Sequence, residues 1–267
     1  MPAALCLLGS VRTLGLGCTG VTTLRRIARP IDAAVFAFVN VPEEWSADRV
    51  EGVRTLVRAM VRGADLELRA LEVDNRSPNS AFKGVPQAKG LKRCWEVAGA
   101  PGAFEYIVRV RTDVYHGFAM PERLPEGPAS VAYVGFLGAP GCSPLRKGAL
   151  WVDDRFAVLR GRQAQRVFLR DFAESLEELP LATRTAPQLR VTAPECLLGM
   201  DVAAANAQGA DTAVALRDVR DLGRGSGICS RANCLIVRSS SNCSAEVRAA
   251  PWVCPPGRAP PTLVLQR

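Results

Sequence analysis

Histidine, lysine and aromatic residues are scarce in this sequence. Of its 267 residues one is a histidine, His116, so a metal site built from several histidines, or a Ser-His-Asp triad, would depend on that residue. We interpret His116 as a structural or loop residue. Aromatic residues make up 6%, and the basic residues are scattered, whereas proteins that bind single-stranded nucleic acid interleave basic and aromatic side chains. The composition therefore predicts no nucleic-acid partner.

A long apolar run is also missing. A membrane-spanning helix needs roughly 20 uninterrupted apolar residues, and Arg12, Arg25 and Arg26 interrupt the apolar start of the chain. No basic residue precedes the short apolar run 3–8, so it differs from a signal peptide, and its length suits a buried strand. We therefore expect a soluble protein with no transmembrane segment.

Apolar residues and arginine are abundant. The apolar content of 48% is enough for one large core, and the formal net charge is +8. Only four of the 34 basic residues are lysines, and arginine binds phosphate groups with a bidentate geometry that lysine lacks. This balance favours anionic ligands, although an arginine-rich and alanine-rich composition can also reflect a coding bias alone.

The nine cysteines bear on the compartment in which the protein works. Five are dispersed through segments typical of core or loop, and we interpret them as buried small apolar residues: Cys6, Cys18, Cys94, Cys142 and Cys196. Four lie closer together with spacings that match no common zinc pattern: Cys229, Cys234, Cys243 and Cys254. Two disulfides among these four would indicate an oxidising compartment, as would the glycosylation sequons at Asn75 and Asn242. The localisation stays open between the cytoplasm and the lumen of the endoplasmic reticulum or Golgi apparatus.

Strand-like and helix-like segments alternate through most of the chain. The sequence predicts strands at 3–8, 33–39, 66–73, 104–110, 131–137, 156–159 and 212–216, and helices at 23–31, 46–62, 87–98, 162–179 and 194–209. The clearest helix is 46–62, which has a Ser cap and apolar residues at helical spacing. This alternation predicts an α/β fold, a three-layer sandwich with a mainly parallel central sheet. We assign it to residues 1–216 and expect residues 217–267 to form a cysteine-containing C-terminal extension with a Pro-rich tail.

Two predicted strands end in residues that suit a phosphorylated ligand. The first strand runs into Gly9 and then Arg12, where glycine lets a ligand approach the backbone and arginine supplies a fixed positive charge. A later strand ends in Arg109, Arg111 and Asp113, at the place where open α/β sheets commonly bind their ligands. The structural alternative is an Arg–Asp ion pair at a strand end.

A second group of candidate residues is acidic. Asp153 and Asp154 follow Trp151, a ring that could stack on a sugar, and one carboxylate beside an acceptor hydroxyl would act as a general base. We favour Asp154 for this role. Glu195 directly follows Pro194 in the predicted first turn of a helix, where the helix dipole favours a carboxylate, and it is the second base candidate. The structural alternatives are a turn for the aspartate pair and a helix start for Glu195.

In their order and spacing these pieces resemble a group of GT-A-type glycosyltransferase-like proteins of algae, plants and large viruses. The resemblance rests on Gly-x-x-Arg-Thr at 9–13, the strand 33–39, the helix 87–95, the segment 106–113, Val152-Asp153-Asp154 with Phe156, and Pro194-Glu195. It covers about residues 3–209 and implies a GT-A-like, Rossmann-related fold. The implied activity is that of a nucleotide-sugar-dependent glycosyltransferase, which moves a sugar from its donor to a carbohydrate or other hydroxyl acceptor.

The resemblance also implies roles for individual residues. From the residue types and the resemblance together, we assign donor binding to Gly9, Arg12, Arg109, Arg111 and Asp113, acceptor binding to Trp151, and catalysis to Asp154, Asp153 and Glu195. Asp113 stands where GT-A enzymes carry a paired Asp-x-Asp metal motif, so it is the candidate ligand for Mn²⁺ or Mg²⁺. Position 111 departs from that motif because it is arginine, which could replace part of the metal's charge. Metal dependence stays open, and replacing Asp113 with alanine is expected to abolish turnover.

Other classes of function are compatible with the same sequence. Residues 15–20 match the Gly-x-Gly-x-x-Gly fingerprint of NAD(P)-binding Rossmann-type oxidoreductases. Against this, the first strand ends well before Gly15, and Asn40 rather than an acidic residue follows the second strand. A non-catalytic carbohydrate- or polyanion-binding module, or an inactive glycosyltransferase fold, would keep the arginines without turnover. The sequence encodes no readable donor, acceptor, stereochemical outcome or oligomeric state.

Overall fold

The structure is a computed structural model that describes residues 2–11, 14, 17–75, 85–100, 103–116, 118–126, 129–135, 137–138, 151–185, 194–223 and 234–236. Its strands are β1 (Ala3–Ser10), β2 (Ala34–Val41), β3 (Leu68–Asn75), β4 (Tyr106–Arg111), β5 (Val114–His116), β6 (Val131–Val134), β7 (Leu137–Gly138), β8 (Trp151–Val152), β9 (Phe156–Arg160), β10 (Ala215–Asp218) and β11 (Cys234–Ile236). Its α-helices are α1 (Ala47–Gly63), α2 (Val85–Ala98), α3 (Arg162–Gln165), α4 (Phe172–Thr185) and α5 (Pro194–Ala207). A π-helical stretch, Arg166–Asp171, joins α3 to α4.

The central sheet has seven strands in the order β10-β6-β9-β4-β1-β2-β3. β1 pairs in parallel with both β2 and β4, β2 pairs in parallel with β3, and β10 pairs in parallel with β6. β9 lies between β4 and β6 and runs antiparallel to both. The sheet is therefore mixed and mainly parallel, which confirms the predicted α/β class.

Helices cover both faces of the sheet, so the domain has three layers. Along β1, Leu5 and Leu7 belong to one apolar core together with Val53 and Val57 of α1. The alternate residues of β1, such as Leu8, belong to a second core that includes residues of α2, α3, α4 and α5. Because successive side chains of a strand point to opposite faces, the central strands are apolar on both. This explains their nearly continuous apolar sequence.

Helix α1 forms as its sequence predicts. Its cap is Ser46, whose Oγ accepts a hydrogen bond from the Arg49 amide at 3.5 Å. The buried side chains of α1 recur every three or four residues, and they include Val53, Val57 and Val61. Both the cap and the apolar face of the predicted helix 46–62 are confirmed.

A disulfide bond links the centre of the sheet to the helix layer. Cys6 of β1 is bonded to Cys94 of α2, with the two Cα atoms 6.1 Å apart and the two residues 88 positions apart in sequence. Both side chains are fully buried, as predicted, but interpreting them as simple small apolar residues is wrong because they are covalently joined. Cys196 is also disulfide-bonded. The tail cysteines Cys229, Cys243 and Cys254 lie outside the described residues.

The main sheet continues past residue 216. Strand β10 crosses that position, and the side chains of Val219 and Leu222 are buried in the core beneath it. Farther along, β11 pairs antiparallel with β5, so Cys234 lies opposite His116. The folded unit thus includes part of the segment that the sequence assigned to an extension. In the part of the chain that the structure describes, no helix is long and apolar enough to cross a membrane.

Candidate functional site

The candidate residues meet at one edge of the sheet, where the parallel strands β1, β2 and β4 end. Ser10 lies beside Asn40, and Leu8 lies beside Arg111, in the strand register. The antiparallel strand β9 begins at the same edge because Phe156 lies opposite Val110. The carboxyl edge of such a sheet is a favoured ligand site, since loops and helix starts converge there.

The end of β1 is tied to the turn after β4. The Thr112 amide donates a hydrogen bond to the Leu8 carbonyl at 2.9 Å, and Thr112 Oγ1 donates to the Ser10 carbonyl at 2.7 Å. Gly9 has φ +134°, and a Cβ placed on it would lie 2.7 Å from Thr112 Oγ1. Gly9, predicted to admit a ligand, therefore also makes room for Thr112. The predicted donor-binding residue Arg12 lies outside the described residues.

Arg111 is a half-buried cation held by two aspartates. Its Nε and Nη2 donate to the two carboxylate oxygens of Asp113 at 3.0 and 2.9 Å, and its Nη1 donates to Asp154 Oδ2 at 3.4 Å. Burial alone would lower the pKa of Arg111, but the hydrogen bonds to Asp113 and the charge of Asp154 outweigh it and raise the pKa. Arg111 therefore stays charged at any physiological pH.

Arg109 lies beneath the site instead of lining it. Its side chain is 1% exposed, its Nη2 donates to the main-chain oxygen of Asp154 at 2.5 Å, and its guanidinium lies 5.0 Å from the ring centre of Phe172. Its Nε and Nη1 make no hydrogen bond with the described residues. Burial lowers the pKa of Arg109 to about 10, so it remains a cation at neutral pH. Its position supports Asp154 from below.

Asp153 and Asp154 are both buried and differ in their partners. Asp153 accepts hydrogen bonds from the Arg155 amide at 3.0 Å and from Arg155 Nε at 2.7 Å. Asp154 Oδ2 accepts from Gln87 Nε2 at 3.1 Å as well as from Arg111, while Asp154 Oδ1 accepts none from the described residues. Each aspartate is 1% exposed. Asp153 thus fixes its own turn, whereas Asp154 joins β4 to the first turns of α2.

Glu195 has the most accessible carboxylate among the three catalytic candidates. It follows Pro194 at the start of α5, which packs against β8, and its side chain is half-buried. Burial, with the negative charges of Asp154 and Asp153, raises the pKa of Glu195. A raised pKa makes a carboxylate a stronger base, which is a property of catalytic acids and bases.

The structure thus brings together most of the predicted site residues. Those at the carboxyl edge are Gly9, Arg111, Asp113, Asp153, Asp154 and Glu195. Trp151 lies in β8 and is half-buried, two residues before Asp153. Sequence reasoning assigned no role to Gln87 and Thr112, although both contact the site. Only their positions in the sequence could have indicated a role: Gln87 lies in the first turn of a helix, and Thr112 directly follows a strand.

Asp113, the predicted metal ligand, contacts a cation in the described part of the chain. The described residues contain no group of three His, Cys, Asp or Glu side chains that could hold a metal ion. Both oxygens of Asp113 are occupied by the guanidinium of Arg111. These side chains do not fit a divalent cation held by protein ligands alone.

The glycine-rich segment has a packing explanation. A π-helical turn begins at Gly17, and a Cβ on Gly20 would lie 2.5 Å from the Leu14 carbonyl oxygen and 2.2 Å from Met60 Cε of α1. The antiparallel strand β9 also departs from a sheet made of parallel βαβ units. These features favour close helix packing over dinucleotide binding.

A separate cavity of about 840 Å³ lies at the opposite edge of the sheet, where the strands begin. Its lining includes Phe104 and Tyr106 at the start of β4, with Asp32, Glu122 and Glu126 around it. None of the predicted site residues lines this cavity. Arg69 and Arg123 also line it, and Arg69 pairs with Glu67 there, but the residues that the sequence predicts for the site meet at the carboxyl edge, so that edge remains the candidate site.

Comparison with known proteins finds a weak structural similarity. No protein-family model matches the chain, and no curated protein matches it. Among solved structures, the chain is similar to the glycosyltransferase GlyE of Streptococcus pneumoniae TIGR4, with a TM-score of 0.39 and 8% sequence identity. The similarity covers 82% of this chain and 46% of that one, so this chain spans less than half the length of that protein. The resemblance to the family of algae, plants and large viruses stays a prediction.

Proposed function

We propose that this protein is a glycosyltransferase that moves a sugar from a nucleotide-sugar donor to a carbohydrate or other hydroxyl acceptor. One observation carries the proposal. At the carboxyl edge of the sheet, the half-buried cation Arg111 lies in a network with Asp154, and burial together with the charge of Asp154 raises the pKa of the half-buried carboxylate Glu195. A fixed cation and a nearby base are the two groups that displacement of a nucleoside diphosphate requires.

The donor would bind with its diphosphate toward Arg111. Negative charge develops on the diphosphate as the bond to the sugar breaks. An arginine stabilises this charge by donating two parallel hydrogen bonds to the phosphate oxygens. Gly9, at the end of the neighbouring strand, and Arg12, which lies outside the described residues, are the further donor-binding candidates. Arg109 is buried and contacts Asp154 and Phe172, so we assign it to supporting the site rather than to touching the donor.

We assign the general base to Glu195, whereas the sequence favoured Asp154. Asp154 is 1% exposed and holds Arg111 and Gln87, which suits a positioning role. Glu195 is more accessible and has a raised pKa. It would take the proton of the acceptor hydroxyl while the acceptor oxygen attacks the anomeric carbon and the nucleoside diphosphate leaves. Trp151 would stack on the acceptor sugar.

The site chemistry does not by itself require a metal ion. Mn²⁺ or Mg²⁺ would need ligands from the donor phosphates in addition to Asp113, because the described residues offer no three-ligand group. The charge that a metal would supply is here supplied at least in part by Arg111. We therefore propose that donor binding persists when divalent cations are removed.

We also propose that the protein works in an oxidising compartment. The Cys6–Cys94 disulfide and the bonded Cys196 are of the kind that persists in secreted and lumenal proteins and is reduced in the cytoplasm. The sequons at Asn75 and Asn242 agree with exposure to a glycosylating lumen. Mapping the free thiols of protein isolated under non-reducing conditions tests this proposal.

A second candidate is a non-catalytic module that binds polyanions or carbohydrates. It is favoured by the pairing of Asp113, Asp153 and Asp154 with arginines, which is also the pattern of a purely structural ion network. Such a module would retain ligand binding without turnover. Its affinity for a polyanion would fall steeply as salt concentration rises.

The first experiment is a thermal-shift screen against UDP-, GDP- and dTDP-sugars and NAD(P), each with and without Mn²⁺. A ligand that binds the native state stabilises it in proportion to the logarithm of its concentration over its Kd. We expect one nucleotide-sugar to raise the Tm. A Tm shift with NAD(P) alone would favour an oxidoreductase over the transferase. The absence of a Tm shift with every nucleotide-sugar would favour the binding module.

The rate of sugar transfer then tests the assignment of Glu195 as the general base. With the donor identified, Glu195→Gln is expected to lose sugar transfer while keeping the donor-dependent thermal shift, since the amide cannot accept the acceptor proton. Glu178→Gln, on α4, removes the same charge elsewhere and is the control. A Glu195→Gln protein that transfers sugar at the wild-type rate would refute the assignment of the base.

A further inference from the structure

The guanidinium of Arg111 is already occupied on the side where a phosphate would bind. Nε and Nη2 form the planar fork that recognises carboxylates and phosphates alike, and both hydrogen bonds of this fork go to Asp113, at 3.0 and 2.9 Å. The third nitrogen, Nη1, faces Asp154 Oδ2 at 3.4 Å. A diphosphate that binds Arg111 through the Nε/Nη2 fork must therefore take the place of Asp113.

The exposure of the three side chains indicates which contact can open. The side chain of Arg111 is 27% exposed and that of Asp113 is 12% exposed, whereas that of Asp154 is 1% exposed. Asp154 is also held by Gln87 and, through its main chain, by Arg109. A ligand from solvent can therefore displace Asp113 while Asp154 keeps Arg111 anchored.

The same geometry opposes a metal on Asp113. A cation held by its carboxylate would lie next to the guanidinium, and like charges at such short range repel strongly in a partly buried site. The described residues provide no group of three ligands to offset this repulsion. Among the described residues, the contacts of Asp113 to Arg111 are those of a counter-ion.

We propose that Asp113 is a counter-charge that occupies the phosphate-binding fork of Arg111 and is displaced when a diphosphate-bearing ligand binds. This deepens the proposed function, on which it rests for the identity of the ligand. It sets an affinity threshold, because each ligand must compete with a resident carboxylate. Weakly charged anions would leave the Arg111–Asp113 pair closed.

The proposal predicts that loss of Asp113 tightens anion binding. Inorganic pyrophosphate is titrated calorimetrically, in the presence of EDTA, into wild type and into Asp113→Asn, Asp113→Ser and Arg111→Met variants. Removing a competitor worth about 1 kcal/mol should lower the Kd of both Asp113 variants about fivefold. Arg111→Met should lose the binding.

The chain offers a matched control for charge. Glu51→Gln also removes one carboxylate that pairs with arginines, Arg54 and Arg58, but on the exposed face of α1. Its pyrophosphate affinity should stay within about twofold of wild type, as expected for a distant surface charge screened by salt. Thermal unfolding of each variant checks that it is folded. The two Asp113 substitutions differ in size, so a change in Kd that is caused by packing should differ between them.

A wild-type measurement complements the variants. In NMR spectra of the labelled protein, the Arg111 Nε–H signal should move when pyrophosphate is added, because its hydrogen bond passes from Asp113 to the ligand. The proposal is overturned if this signal is unmoved by pyrophosphate, or if Asp113→Asn binds no more tightly than Glu51→Gln. It is also overturned if Mn²⁺ strengthens binding in wild type and Asp113→Asn abolishes that gain, since Asp113 would then be a metal ligand.

These outcomes are separable from those of the proposed function. If no nucleotide-sugar binds but pyrophosphate follows the predicted pattern, the glycosyltransferase assignment fails and the counter-charge role stands. If sugar transfer is found but Asp113→Asn weakens pyrophosphate binding, the glycosyltransferase assignment stands and the counter-charge role of Asp113 fails.

Discussion

The Cys6–Cys94 disulfide should contribute a large part of the stability of this protein. It closes a loop of 88 residues, and both sulfur atoms lie in the fully buried layer between β1 and α2. In the chain-entropy treatment, a loop of this length lowers the entropy of the unfolded chain enough to stabilise the native state by about 4.6 kcal/mol. For a chain of this size, the same free energy corresponds to a decrease in Tm of roughly 8 °C when the bond is removed.

The perturbation is replacement of each cysteine by alanine, singly and together, followed by urea unfolding without reductant. Each single variant already breaks the bond, so each should lose most of the stabilisation, and the double variant should lose little more. The losses in free energy of unfolding of the two single variants should therefore sum to more than the loss of the double variant. The excess should be about the stabilisation that the disulfide provides. Because the bond lies beneath Leu8 and the end of β1, its loss should also weaken ligand binding at the carboxyl edge.

A simple additive result would refute this reasoning. If the losses of Cys6→Ala and Cys94→Ala add up to the loss of the double variant, the two residues act as independent apolar side chains. The control is reductant, which should lower the stability of wild type and have a smaller effect on the double variant. Alkylation under native conditions followed by mass spectrometry should find Cys6 and Cys94 unmodified.

Two further predictions concern the site. Between the ordinary pKa of glutamate and the raised pKa of Glu195 the native state binds more protons than the unfolded state, so wild-type stability should fall as pH rises through that window. Glu195→Gln should lack this fall, and urea unfolding of both proteins from about pH 4 to pH 8 would show it, whereas parallel curves would contradict the raised pKa. Gly9→Ala should destabilise the protein by about 1–3 kcal/mol, because φ is +134° and the new Cβ would meet Thr112 Oγ1. Gly52→Ala, at an open position in α1, should be neutral or stabilising by up to about 1 kcal/mol, and an equal loss in both would rule out the steric explanation.

The location of the candidate site was predictable from the sequence, but the roles of its individual side chains were less so. Arg111 and Asp113 were identified because they end an apolar strand, and Asp154 because it belongs to an acidic pair between Trp151 and the next strand; the three side chains do converge. Which carboxylate is accessible was not predictable, since it depends on how α5 and β8 pack over the edge. For the same reason Arg109 could not be distinguished from Arg111, although one is buried beneath the site and the other half-exposed within it.

The sequence by itself determined the elements and the fold class. Continuous apolar runs mark the central strands, spacing of three and four marks α1, and the cap at Ser46 marks its start, because these signals depend on neighbours along the chain. Tertiary structure alone decided the antiparallel insertion of β9, the continuation of the core past residue 216, and the bond between Cys6 and Cys94. Each of these joins residues far apart in sequence, whose pairing depends on the packing of the entire core and leaves no local pattern to read.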